Sequence, residues 1–119
     1  MTWLRRAVPV AIAAGALSLA ATPASAAVKR DCPRLKSQPQ RVGPSIPGAT
    51  DIHTVDVKCG RASDFIRTYH RALLNGRDAE PRGWNCTERA LNRDHTKTGY
   101  RCSGPGAQLI RWVRHGQLG

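Results

Sequence analysis

Histidine and arginine side chains are the first candidates for chemistry in this chain. The four histidines are His53, His70, His95 and His115. Two histidines with a lysine or arginine would suit a small secreted ribonuclease, since the imidazoles can transfer protons while the cation binds phosphate. The set Glu88, Arg101 and His115 would serve one microbial type, but the local motifs of such enzymes do not occur. We therefore expect surface histidines and predict no catalytic residues.

The cysteines offer covalent chemistry. They are Cys32, Cys59, Cys86 and Cys102. An even number in a small chain whose N-terminus predicts export indicates two disulfides with three possible pairings. If 84–91 and 99–103 form a hairpin, Cys86 faces Cys102, which favours Cys86–Cys102 together with Cys32–Cys59. A bond from Cys59 to Cys86 or Cys102 remains an alternative. Zinc is disfavoured because neither Cys-x-x-Cys nor His-x-x-x-His occurs, so we expect no metal or cofactor.

Arginine placement is the strongest signal for binding. The anion-binding candidates are Arg67, Arg71, Arg111 and Arg114. Arg67 and Arg71 are four residues apart on the polar face of a predicted helix, and the other two lie near Trp112 on a predicted strand. An arginine fork binds phosphate and carboxylate bidentately, and a neighbouring tryptophan adds stacking or a cation–π contact.

The N-terminus has the pattern of a secretory signal peptide over 1–26. Arg5 and Arg6 precede an uncharged stretch over 7–21, and 24–26 reads Ala-Ser-Ala, the small residues that signal peptidase requires. The uncharged stretch is shorter than the ~20 residues of a membrane-spanning helix, so we expect no membrane span in the mature protein. Cleavage after Ala26, with the bond after Ala27 as the alternative, removes two arginines and no acidic residue, which lowers the formal net charge from +11 to +9.

The remaining sequence predicts an arm over 27–50 and a small α+β domain over 51–119. The arm is rich in proline and is expected to be extended or disordered. In the domain, 51–58 alternates as a strand and 61–75 has the period of an amphipathic helix. We predict strands over 84–91, 99–103 and 107–114, although 84–91 could also be a helix. The order is β-α-β-β-β, with one helix packed on a short antiparallel sheet and the last strand central.

Several residues resemble a class of small secreted cysteine-containing proteins of actinobacteria, of the Streptomyces type. The resemblance covers 51–114. Its motifs are Cys59 before the helix, Gly-Trp-Asn-Cys at 83–86, Tyr-Arg-Cys at 100–102, and a glycine turn before a closing apolar strand. Most members of the class have no assigned activity. The resemblance therefore implies secretion and a disulfide-bonded α+β domain.

Charge without a catalytic constellation favours a binding role. We expect a secreted basic protein, extracellular or attached to the cell wall, that binds an anionic polymer or envelope component. Nucleic acid would be bound only non-specifically. The alternatives are a small secreted nuclease-like hydrolase that uses His and Arg, and a protease inhibitor, for which no reactive loop is identifiable.

Overall fold

The computed structural model describes residues 26–116. The predicted signal peptide lies outside the described residues except for Ala26. The described part contains one helix and five strands. They are β1 (Lys29–Cys32), β2 (Gly48–Val55), α1 (Cys59–Leu74), β3 (Asn85–Ala90), β4 (Lys97–Ser103) and β5 (Leu109–His115).

The five strands form one antiparallel sheet in the order β1-β2-β5-β4-β3. The predicted α+β class, with one helix and a short antiparallel sheet, is confirmed. β5 is central, as its two apolar faces indicate. The segment with mixed helix and strand signals, 84–91, contains the edge strand β3.

One strand was not anticipated, because β1 lies within the segment expected to be an arm. β1 pairs antiparallel with β2. Further along, Leu35 bridges to Ala49 and Gln38 bridges to Ile46, so the chain continues beside the start of β2. The sequence of β1, Lys-Arg-Asp-Cys, has no apolar alternation. Charged residues are common on edge strands, so this composition is compatible with a strand but does not predict one. The position of β1 is set instead by its hydrogen-bonded pairing with β2 and by a disulfide.

Helix α1 covers one face of the sheet with the stripe that its periodicity predicts. The buried residues of the helix are Ala62, Ile66, Tyr69 and His70. The helix begins at Cys59, two residues before the predicted start. After it ends at Leu74, Gly76 has a φ of 66°, a left-handed conformation that glycine adopts without a Cβ clash.

The core lies between α1 and the sheet. Its largest apolar sheet residues are Ile52, Tyr100, Ile110 and Trp112. Burying one such side chain fully contributes roughly 1.5–3 kcal/mol. Because successive strand residues point to opposite faces, the neighbours of these core residues project from the face that has no helix.

The position of His70 differs from the surface location expected of the histidines. It is fully buried at the edge of the apolar stripe. Its Nδ1 hydrogen bonds to the carbonyl of Pro47 and its Nε2 to the indole N–H of Trp112. A buried polar side chain is tolerated here because both ring nitrogens have partners.

The four cysteines form the disulfides Cys32–Cys59 and Cys86–Cys102, the pairing that the hairpin argument favoured. Cys86 and Cys102 are directly opposed on β3 and β4. Cys32–Cys59 ties the end of β1 to the first residue of α1. The two bonds therefore fasten the two edge strands of the sheet.

Candidate functional site

A row of polar side chains crosses the helix-free face of the sheet, with one residue from each strand. Each member is directly opposed to the next in the strand register. This central row is Asp31, His53, Arg111, Arg101 and Thr87. Adjacent strands lie ~4.8 Å apart, so neighbouring side chains in the row are close enough to act on one ligand.

Asp31 and His53 form a hydrogen-bonded pair at one end of the central row. Oδ1 of Asp31 lies 2.5 Å from Nδ1 of His53. The side chains are 87% and 42% exposed, respectively. Because an ionised carboxylate can only accept, the Nδ1–H of His53 donates to it, and in the neutral imidazole Nε2 is the acceptor. Within residues 26–116, Nε2 has no hydrogen-bond partner.

A bulge in β2 places His53 on this face. The register with β5 shifts by one residue between Thr50 and His53. Within the bulge, Asp51 has a φ of 51°, in the left-handed region. The bulge takes up one residue, so Ile52 is buried beneath α1 and His53 projects from the opposite face. With uninterrupted alternation, Ile52 would share the side of Thr50 and His53 would point at the helix.

Arg101 and Arg111 form a cationic pair at the centre of the row. They are directly opposed on β4 and β5, and both are exposed. Neither guanidinium has a hydrogen-bond or carboxylate partner in the described part of the chain. Like charges directly opposite each other in a sheet destabilise it. An anion lying between the two forks would reverse the sign of this electrostatic energy and supply bidentate acceptors.

Two hollows on the helix-free face meet at the central row. Their volumes are about 470 Å³ and 340 Å³. His53, Arg101 and Arg111 line both hollows. The larger one also contacts Arg89, and the smaller one contacts Asp31. Ligand sites commonly have volumes of roughly 300–1,000 Å³, so each hollow could take one unit of a polymer, with the arginine pair at their junction.

The four arginines predicted from the sequence are not brought together. Arg67 and Arg71 lie on α1, on the other side of the molecule from Arg111. Arg67 is half-buried, and its Nη1 is 3.4 Å from both the carbonyl of Lys36 and Oε1 of Gln38. Arg71 is exposed. Of the four, Arg111 alone lines the hollows at the central row.

Arg114 is buried, and the contacts of its side chain indicate a structural role. Its guanidinium donates to the hydroxyl groups of Tyr100 and Thr98 and to the carbonyl of Gly116, and it lies over the Tyr100 ring. Burial raises the pKa of the Tyr100 hydroxyl well above its ordinary value, against the opposing effect of the Arg114 charge. The hydroxyl therefore stays protonated and accepts from Arg114 at neutral pH.

The histidine set considered from the sequence is not assembled either. Glu88 is opposed to Tyr100, whereas Arg101 is opposed to Thr87, so Glu88 and Arg101 belong to opposite faces. His115 hydrogen bonds to Thr50 near the end of β5. On the face of Arg111 the structure instead brings together Asp31, His53 and Arg101, a combination that the sequence did not predict, and Asp31 was not among the candidates.

The described residues give no sign of a metal site or a membrane span. No group of three or more His, Cys, Asp or Glu side chains between residues 26 and 116 could hold a metal ion together. In the same part of the chain, no helix has the length and apolar character required to cross a bilayer. Comparison with protein families, with curated proteins and with solved structures gives no match.

Proposed function

We propose that this protein binds an anionic polymer outside the cell through the helix-free face of its sheet. The observation that carries the proposal is the opposition of Arg101 and Arg111 at the junction of the two hollows. An extracellular location is supported by the two disulfides, which persist in oxidising compartments, and by the signal-like N-terminus.

The chemistry of the face favours phosphodiester or similar repeating anions. Arg89 lines the larger hollow, and Lys29, two residues before Asp31 on β1, lines the smaller one, so cations extend to both sides of the central pair. A polymer that follows the row would place successive anionic groups near successive cations. Binding of this kind releases counterions and weakens steeply as salt is added.

The proposal is tested by the salt dependence of binding to a labelled single-stranded DNA of about 12 nucleotides, used as a phosphodiester polymer. For Arg101→Gln/Arg111→Gln we expect the slope of log K against log salt to fall by about 0.7, because the two arginines share one phosphate contact. The matched control is Arg67→Gln/Arg71→Gln, which removes the same charge from the helix face.

The two variants separate a site from general attraction. If the sheet pair alone lowers the slope, the helix-free face is the binding surface. An equal loss in both variants would mean that binding follows net charge only. A loss confined to the helix pair would place the site on α1. Either of the last two results would overturn the proposal.

A further inference from the structure

This inference rests on the proposed function and adds catalysis to it. We propose that the central row cleaves single-stranded RNA, with His53 as the general base and Arg101 and Arg111 holding the scissile phosphodiester. The motivating observation is that a hydrogen-bonded histidine–carboxylate pair is directly opposed to the cationic pair.

Asp31 prepares His53 for proton transfer. Its carboxylate accepts the Nδ1 proton, which leaves the lone pair of the neutral ring on Nε2. No residue of the described chain hydrogen bonds to Nε2, so a substrate hydroxyl can do so. The same carboxylate stabilises the imidazolium that forms when Nε2 takes a proton. Asp31 is therefore a positioning residue, and His53 is the group that contacts the substrate.

The register sets the distance between the base and the phosphate. His53 is opposed to Arg111, which is opposed to Arg101, so the three side chains span two strand spacings, or ~10 Å. A phosphate held between the two guanidinium groups lies beside His53. The ribose 2′-hydroxyl is adjacent to that phosphate in RNA, so it can reach Nε2 while the phosphate remains bound.

The reaction needs no co-reactant other than water. The 2′-oxygen attacks phosphorus as its proton passes to Nε2 of His53, and a bond forms between the 2′-oxygen and phosphorus. The bond from phosphorus to the 5′-oxygen breaks, and that oxygen takes a proton from water in the open hollow. The imidazolium returns its proton to the hydroxide so formed. The products are a 2′,3′-cyclic phosphate and a 5′-hydroxyl.

The arginine pair lowers the activation barrier of the cleavage as well as binding the substrate. Negative charge grows on the non-bridging oxygens when phosphorus becomes five-coordinate. Two guanidinium forks that reach the phosphate from neighbouring strands neutralise part of that charge. DNA has the same phosphodiester but no 2′-hydroxyl, so it is bound and not cleaved. This difference separates the catalytic proposal from the binding proposal.

The test uses RNA and DNA oligomers of one sequence with the full mature chain, its disulfides formed. We expect the wild type to cleave RNA to cyclic-phosphate ends and to leave DNA intact. His53→Gln should lower kcat on RNA by about 10²–10⁴ with unchanged affinity for the DNA oligomer. His115→Gln, purified in parallel, is the control for a contaminating nuclease and should retain the wild-type rate within about threefold.

Asp31 is tested by conservative rescue. Asp31→Ala should lower kcat, and Asp31→Glu should restore part of it, because a carboxylate can again accept from Nδ1. A wild type that binds the DNA oligomer but leaves RNA intact overturns the catalytic proposal and preserves the binding proposal. Equal cleavage by wild type and His53→Gln also overturns it. A folded protein that binds neither oligomer overturns both.

Discussion

The indole N–H of Trp112 donates a hydrogen bond to Nε2 of His70 over 2.9 Å, within the core between α1 and β5. The Nδ1–H of the same ring donates to the carbonyl of Pro47 at 3.0 Å. Both nitrogens thus have fixed roles in a neutral imidazole. A proton on Nε2 would face the indole donor, so the core accommodates the uncharged ring only.

This arrangement makes stability depend on pH. Burial lowers the pKa of His70 from 6.5 to about 4. Because the folded pKa is lower than the unfolded one, the unfolded chain binds more protons in this interval. The free energy of unfolding should therefore fall as the pH drops from about 6.5 to about 4, by up to about 3 kcal/mol. Urea unfolding followed by tryptophan fluorescence at several pH values measures this.

His70→Gln is the informative variant, because glutamine can still donate to Pro47 and accept from Trp112 but does not titrate. Its stability should be lower at pH ~7 and should vary less between about pH 6.5 and 4 than that of the wild type. His115→Gln, with an exposed ring, should retain the wild-type slope. If His70→Gln retained it too, another group would be responsible for the pH dependence.

The sequence predicts those elements that form through interactions between residues close together in the chain. The apolar period locates α1 because one face of the helix must be buried. The β3–β4 hairpin is also predictable, since its turn-rich loop lies midway between Cys86 and Cys102 and brings them face to face. The edge strand β1 is not, because it depends on pairing with β2, about twenty residues away in the chain.

The site depends on registers that the sequence does not reveal. The glycine turn before β5 is recognisable, and a turn centred on Pro105 would oppose Arg101 to Leu109. In the structure the turn extends to Gln108, whose carbonyl accepts from Gly104, and Arg101 is opposed to Arg111 instead. His53 reaches the same row only through long-range β2–β5 pairing and the bulge at 50–53.

The two disulfides should differ in what they stabilise. Cys86–Cys102 joins two strands of a hairpin, and its loss in Cys86→Ala/Cys102→Ala should lower the free energy of unfolding by about 3 kcal/mol, the chain-entropy value for a loop of this length. Cys32–Cys59 holds the edge strand β1. In Cys32→Ala/Cys59→Ala, we expect amide hydrogen exchange to rise first in β1, with β4 and β5 still protected.

Hydrogen exchange followed by mass spectrometry distinguishes the two effects. The double alanine variants serve as controls for each other, since each removes one bond and two sulfur atoms. Uniform exchange across all five strands in the Cys32–Cys59 variant would contradict a local role for that bond. A local role would also link the bond to the site, because β1 carries Asp31.

The opposed arginines should reduce stability in the absence of an anion. Relieving the repulsion in Arg101→Gln should raise the free energy of unfolding by about 0.5 kcal/mol at low salt, the scale of one cross-strand pair. The gain should shrink as salt screens the exposed charges. Chemical unfolding at about 20 and 500 mM NaCl measures both quantities. Arg77→Gln, exposed after α1, is the control and should change stability little.

Arg101→Gln should weaken anion binding while it stabilises the fold, because the two charges that repel each other are also the ones that attract the anion. An anion between Arg101 and Arg111 would stabilise the wild type by mass action and would stabilise Arg101→Gln less. Adding the DNA oligomer should therefore reverse the order of stability of the two proteins at low salt. If Arg101→Gln were the less stable protein without any anion, the arginine pair would have a structural role, and its position at the junction of the hollows would not reflect a ligand.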